Sequence, residues 1–198
     1  MAYSRFTLEK AKQQFQLTIN QNTTLFSDIS EVSLSDWLQE MLSQSISLAT
    51  YINTEKARSE LIVAPILLEL KQISNGKISF FSGVRFDVDK KQGLNGQCDY
   101  LISQSDNQFE LHAPIVSIVE AKSENIKGGF GQCVATMIAS RIFNKRENEP
   151  LETIYGIVTT GTNWKFLKLV GNVVYIDKDE YHVNSVEKII GILIGIIS

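Results

Sequence analysis

Three short pieces of the chain carry residue types that can do chemistry together. They are Gly96-Gln97-Cys98-Asp99-Tyr100, then Ile118-Val119-Glu120-Ala121-Lys122, then Gly131-Gln132 at the head of an apolar stretch. An isolated acid, an acid-x-lysine on an apolar run and a glutamine on the following helix can build a metal site that cuts phosphodiesters. Pro114 to Lys122 is rich in β-branched residues and reads as a strand. Alternation along it places Val116, Ile118, Glu120 and Lys122 on one face, with Glu120 and Lys122 roughly 6.5 Å apart. A carboxylate and an ammonium on an otherwise apolar face are costly unless paired or bound to metal. The bland alternative is a strand end reaching solvent with two surface charges.

Cys98 to Ser103 reads as a second short strand, preceded by the turn-rich Gln92-Gly93-Leu94-Asn95-Gly96. Asp is disfavoured inside strands, so Asp99 belongs either to that turn or to a site shared with Glu120 on the neighbouring strand of a hairpin. Two carboxylates held close repel unless a cation sits between them. Ligation by oxygen alone suits Mg²⁺ or Mn²⁺ rather than zinc.

The order Asp99, Glu120-Ala121-Lys122, Gln132 resembles the PD-(D/E)xK nuclease superfamily, also called restriction-endonuclease-like. The segment from Asn53 to Leu67 looks like the first core helix of nuclease domains in type I restriction enzymes. Val158-Thr159-Thr160-Gly161-x-x-Trp164-x-Phe166 looks like the last core strands. Cys98 stands where the family name has proline, and Thr136 stands where some members have tyrosine. The resemblance spans about residues 53 to 170. It implies a Mg²⁺- or Mn²⁺-dependent DNA nuclease with Asp99 and Glu120 on the metal, Glu60 as a further metal ligand, Lys122 orienting the attacking water, and Gln132 assisting. DNA is the expected substrate, with RNA left open. The alternative from another class is a nuclease-fold nucleic-acid-binding or accessory protein without hydrolysis.

Composition agrees with a single domain over the 198 residues, 43% of them hydrophobic. Net charge is −3, which does not advertise nucleic-acid binding, so any phosphate contacts must come from a local patch. The candidates are Lys122, Lys127, Arg141, Lys145 and Arg146. Cys98 and Cys133 form no CxxC pair or disulfide framework and read as small buried side chains. His112 and His182 give no zinc pattern, and no nucleophile elbow, P-loop or dinucleotide fingerprint is present. No signal peptide is apparent, and the apolar run Ile189 to Ile197 is shorter than the ~20 residues needed to cross a bilayer. These features predict a cytoplasmic protein without membrane contact. The final segment is then a core helix or a homodimer contact.

The predicted fold class is α/β (α+β by some schemes), with a restriction-endonuclease-like αβββαβ core and a mixed central sheet flanked by helices. Residues 1–52 are expected to form a helical cap, with helices over Thr7–Leu17 and from Ser35. Residues 53–180 form the core and 181–198 a C-terminal helix. Within the core, a helix over Thr54–Gln72 is expected to be disturbed at Pro65. Strands are expected at Lys77–Val88, Gln97–Ser103, Glu110–Lys122, Glu152–Thr160, Trp164–Val170 and Val173–Ile176. Gly128-Gly129-Phe130-Gly131 reads as a flexible lead into a helix from Gln132 to about Asn144.

Overall fold

The structure, a computed structural model, describes residues 2–198. Along the chain run α1 (Leu8–Phe15), β1 (Thr18–Asn20), α2 (Asp36–Ile52), α3 (Glu55–Arg58), a π-helical turn (Ser59–Val63) and α4 (Ala64–Ile73). Then come β2 (Ser79–Arg85), β3 (Gln97–Ser103), β4 (Ile115–Ala121), α5 (Ile126–Arg146), β5 (Thr153–Thr159), β6 (Asn163–Val170), β7 (Val173–Ile176), β8 (Tyr181–His182) and α6 (Val186–Ile197). From α4 onward the order is α, β, β, β, α, β. The class is α/β: an eight-stranded mixed sheet in the order β1-β7-β6-β5-β4-β3-β2, with β8 on β6.

The sheet changes direction where it matters. β3 and β4 run antiparallel, with Tyr100 opposite Val119, whereas β4 and β5 run parallel, with Glu120 opposite Val158. The parallel step needs a crossover, and α5 supplies it. Alternating side chains feed two cores. Ile157, Trp164 and Phe166 pack with α2, α4 and α6, while Ile154, Val158, Leu167 and Leu169 pack with α1 and α5.

Helix starts follow local chemistry. Thr7, Ser35 and Thr54 each accept a backbone N–H from three residues on, the N-cap arrangement. Ser35 is also held by Glu69, whose carboxylate accepts its N–H at 2.8 Å and its hydroxyl at 2.7 Å. Regular α-helical bonding lapses just before Pro65, where the Ala64 N–H reaches back to the Ser59 carbonyl. Proline has no N–H to give the Leu61 carbonyl, and the Ser45 hydroxyl of α2 donates to that carbonyl instead, at 2.7 Å.

Four sequence expectations need correction. The first fifty-two residues are not solely a helical cap, because Thr18–Asn20 pairs in parallel with β7 and forms an edge of the sheet. The strand expected from Glu110 begins only at Ile115. A register shift near its start sends Val116 into one core and Ile118 into the other, so Val116 does not share the face of Ile118 and Glu120. The Gly128–Gly131 stretch is not a lead-in but the first turns of α5, capped by the Asn125 side chain accepting the Gly128 N–H at 3.0 Å. Gly131 is small because a Cβ there would lie 2.2 Å from the Phe6 carbonyl oxygen. Finally, the basic residues expected to form one patch are dispersed: Lys122 lies just past β4, and Lys127, Arg141, Lys145 and Arg146 are strung along α5, which at ~1.5 Å per residue spans about 30 Å. Arg141 and Arg146 bind the carbonyls of Gly171 and Val88.

Helix α6 belongs to the core. Ile189, Ile190, Ile192 and Leu193 are each 0% exposed. Their burial is worth about 6–12 kcal/mol together, comparable with the whole ~5–15 kcal/mol stability of a domain. A chain ending at Lys188 is expected to unfold or aggregate. Circular dichroism and light scattering check this, and a native-like monomer would contradict it.

Candidate metal centre

The acid pair is built where two strands stop pairing regularly. Cys98 packs in the core beside α5, but Tyr100, two residues on, packs in the opposite core. The alternation therefore slips at Asp99, as it does at β-bulges. The Asp99 carboxylate reaches across to β4, and its Oδ2 accepts the Ala121 N–H at 2.8 Å.

Ile118, Glu120 and Lys122 face α5. Glu120 is 1% exposed, and its Oε1 accepts from Lys122 Nζ at 2.5 Å. Lys122 lies flat under the start of α5, where a Cβ on Gly129 would come within 3.3 Å of its side-chain carbons and 2.6 Å of Val158. Only glycine leaves that space. The Lys122 backbone N–H is fixed by the Thr159 carbonyl at 2.8 Å.

Electrostatics mark the same point. Burial, then the neighbouring Asp99 charge, pushes the Glu120 carboxyl up to about 8, against the opposing pull of Lys122. Burial pulls the Lys122 ammonium down, but the charge and hydrogen bond of Glu120 overcome it, helped by Glu55 and Asp99. The lysine is therefore held above its ordinary value. A buried acid raised by a second acid is the pattern expected where like charges share a site. Cys98 is pushed up to about 12 by burial and Glu120, and Cys133 is raised further by the same causes. Both shifts disfavour the thiolate that ligation or nucleophilic attack would need.

Asp99 opens on a cleft of about 290 Å³ bordered by Glu55, Ser59, Glu60 and Tyr100. The structure thus brings Asp99, Glu120 and Lys122 together, as the sequence suggests. It does not bring Glu60 into that set. Glu60 stands on the π-helical turn, with its side chain 62% exposed and 3.8 Å from Lys56. Among the described residues, no group of three His, Cys, Asp or Glu side chains could hold an ion together. Gln132 lies seven residues into α5, so it has no capping role. It shares a stripe of that helix with Gly129 and Thr136, which lie against Lys122 and Cys98 respectively.

Sequence reasoning missed Glu55 and the Tyr100–Ser59 contact. The Tyr100 and Ser59 hydroxyls lie 2.7 Å apart, tying β3 to the helix that walls the cleft. Glu55 directly follows the Thr54 cap, and its position one turn before Ser59 is the signal that could have found it. No family model, curated protein or solved structure matches this chain.

Proposed function

We propose that the chain is a Mg²⁺- or Mn²⁺-dependent phosphodiesterase acting on DNA, of the PD-(D/E)xK type. The observation that carries this reading is the buried Glu120–Lys122 pair beside Asp99, at the irregular end of two adjacent strands.

The donors fit a hard divalent cation. Asp99 Oδ2 accepts from Ala121 and Glu120 Oε1 from Lys122, and the two carboxylates also approach each other within hydrogen-bonding reach. The repulsion that raises Glu120 is what a cation relieves. Such an ion would supply an activated water and neutralise charge on the phosphate. Lys122, pinned through its backbone, would orient the attacking water and stabilise the negative charge that develops. Glu55 and Glu60 would draw cations into the cleft through their charge, and Gln132 would assist from α5.

A second reading, a nuclease-fold binding protein without hydrolysis, is favoured by the lack of a three-ligand group among the described residues. Cleavage assays with Mg²⁺ or Mn²⁺ on circular, linear, branched and single-stranded DNA, with an RNA arm, separate the two. Cleavage is expected to require the metal and to disappear in Asp99→Asn. Binding without cleavage of any substrate would favour the second reading.

A further inference from the structure

The larger cavity near the acid pair, about 470 Å³, opens between the start of α5 and the turn joining β5 to β6. It begins one residue beyond Lys122, at Ser123, and Arg58 lines it. Arg58 is 9% exposed, and a buried guanidinium is costly unless its charge is met. Every acceptor it has among the described residues is neutral. Nε and Nη2 donate to Asn53 Oδ1 at 3.2 and 2.9 Å, and Nη1 donates to the Thr160 carbonyl at 3.0 Å and Thr162 Oγ1 at 3.3 Å. A guanidinium carries five N–H groups, so one Nη2 N–H is left without a protein acceptor among the described residues. None of the ion pairs among those residues includes Arg58.

The opposite wall adds donors. Lys127 lies in the first turn of α5 and borders the cavity. The Asn125 cap takes the Gly128 N–H, and the earlier amides of the turn have no partner within the helix. Two carboxylates also border the cavity, Glu124 and Glu180. Both are exposed and engaged by asparagines, with Asn53 Nδ2 at 3.2 Å and Asn163 Nδ2 at 2.6 Å. Charges in water are screened, while a buried charge is screened much less, so the interior of the cavity favours an anion.

We propose that this cavity holds a phosphate group of the nucleic-acid chain, adjacent to the phosphate at Asp99, Glu120 and Lys122. The proposal rests on the nuclease reading for the identity of the anion. A buried guanidinium with one spare N–H, next to helix amides without intrahelical partners, suits phosphate oxygens.

The test is binding of a fluorescently labelled DNA fragment to the full chain in EDTA, followed by anisotropy across salt concentrations. Cleavage plays no part in that readout. Lys127→Ala is expected to weaken binding on every sequence and to flatten the dependence of log K on log salt by about 1. Glu180→Gln, which keeps an acceptor for Asn163, is expected to tighten binding. Inorganic phosphate should compete with the DNA, and compete less well in Arg58→Lys, which keeps the charge but loses the planar guanidinium and its spare N–H.

Unchanged affinity and salt slope in both Lys127→Ala and Glu180→Gln overturns the proposal, as does wild type that binds no DNA. Those two variants alter exposed side chains and decide the matter if Arg58→Lys fails to fold. Absence of cleavage with these shifts intact removes the nuclease reading and keeps the phosphate cavity. Cleavage without the shifts does the reverse.

Discussion

Lys122→Ala is expected to lower DNA cleavage by on the order of 10²–10³, the cost typical of removing one preorganised electrostatic group. The fold should survive. Removing one partner of a buried ion pair commonly costs ~3–5 kcal/mol because it strands a charge. Glu120 escapes most of that cost, since burial and Asp99 already push its carboxyl to about 8, above neutral pH. Without Lys122 the carboxyl loses the group that favours its charge and takes up a proton, so little charge is stranded. Rate measurements and thermal melts at pH 7 separate the two effects. A large drop in melting temperature would show that Lys122 is mainly structural. Activity equal to wild type would remove it from the mechanism.

The second large effect concerns pH. The Glu120 carboxyl stands near 8 when folded, against an ordinary value of 4.5. The folded state therefore keeps a proton that the unfolded chain gives up. The stability tied to that proton is fully present below about 4.5 and is lost as pH rises to 8. The difference in stability between wild type and Glu120→Gln should thus fall across this window, by on the order of a few kcal/mol.

Bound Mn²⁺ needs the ionised carboxylate, so its effect runs the other way. The stabilisation it gives wild type should grow from pH 6 to pH 8, reaching about 2.7 kcal/mol at a hundredfold excess over Kd. Asp99→Asn should lose that stabilisation too. Melts with and without Mn²⁺ at several pH values test both statements. Equal Mn²⁺ shifts in wild type and Glu120→Gln would place the cation elsewhere.

Much of the site was legible because its residues break local rules. An Asp at a strand start and an acid-x-lysine in a β-branched run stand out against strand chemistry, and the structure brings both together with the lysine. β3 and β7 were bounded correctly because Gly96 and Gly171 punctuate them. The same rule misled at Gly128 to Gly131. Glycine there answers to contacts with Phe6 and Val158, more than a hundred and about thirty positions away along the chain respectively, and no local window contains them. β1 is only three residues long and carries too little pattern to be seen. Glu60 was expected from the family resemblance, but it stands exposed on a π-helical turn beside Lys56, and nothing in the spacing announces that turn.

The wide turn before Pro65 also ties two distant positions together. Ser45 donates to the carbonyl that Pro65 cannot serve. Any residue other than proline at 65 would bring its own N–H and make the serine dispensable. Proline retained at 65 without a donor at 45 leaves a carbonyl stranded beside the core. The two positions therefore form one heritable unit, and substitutions at them are expected to arise in concert as such sequences diverge.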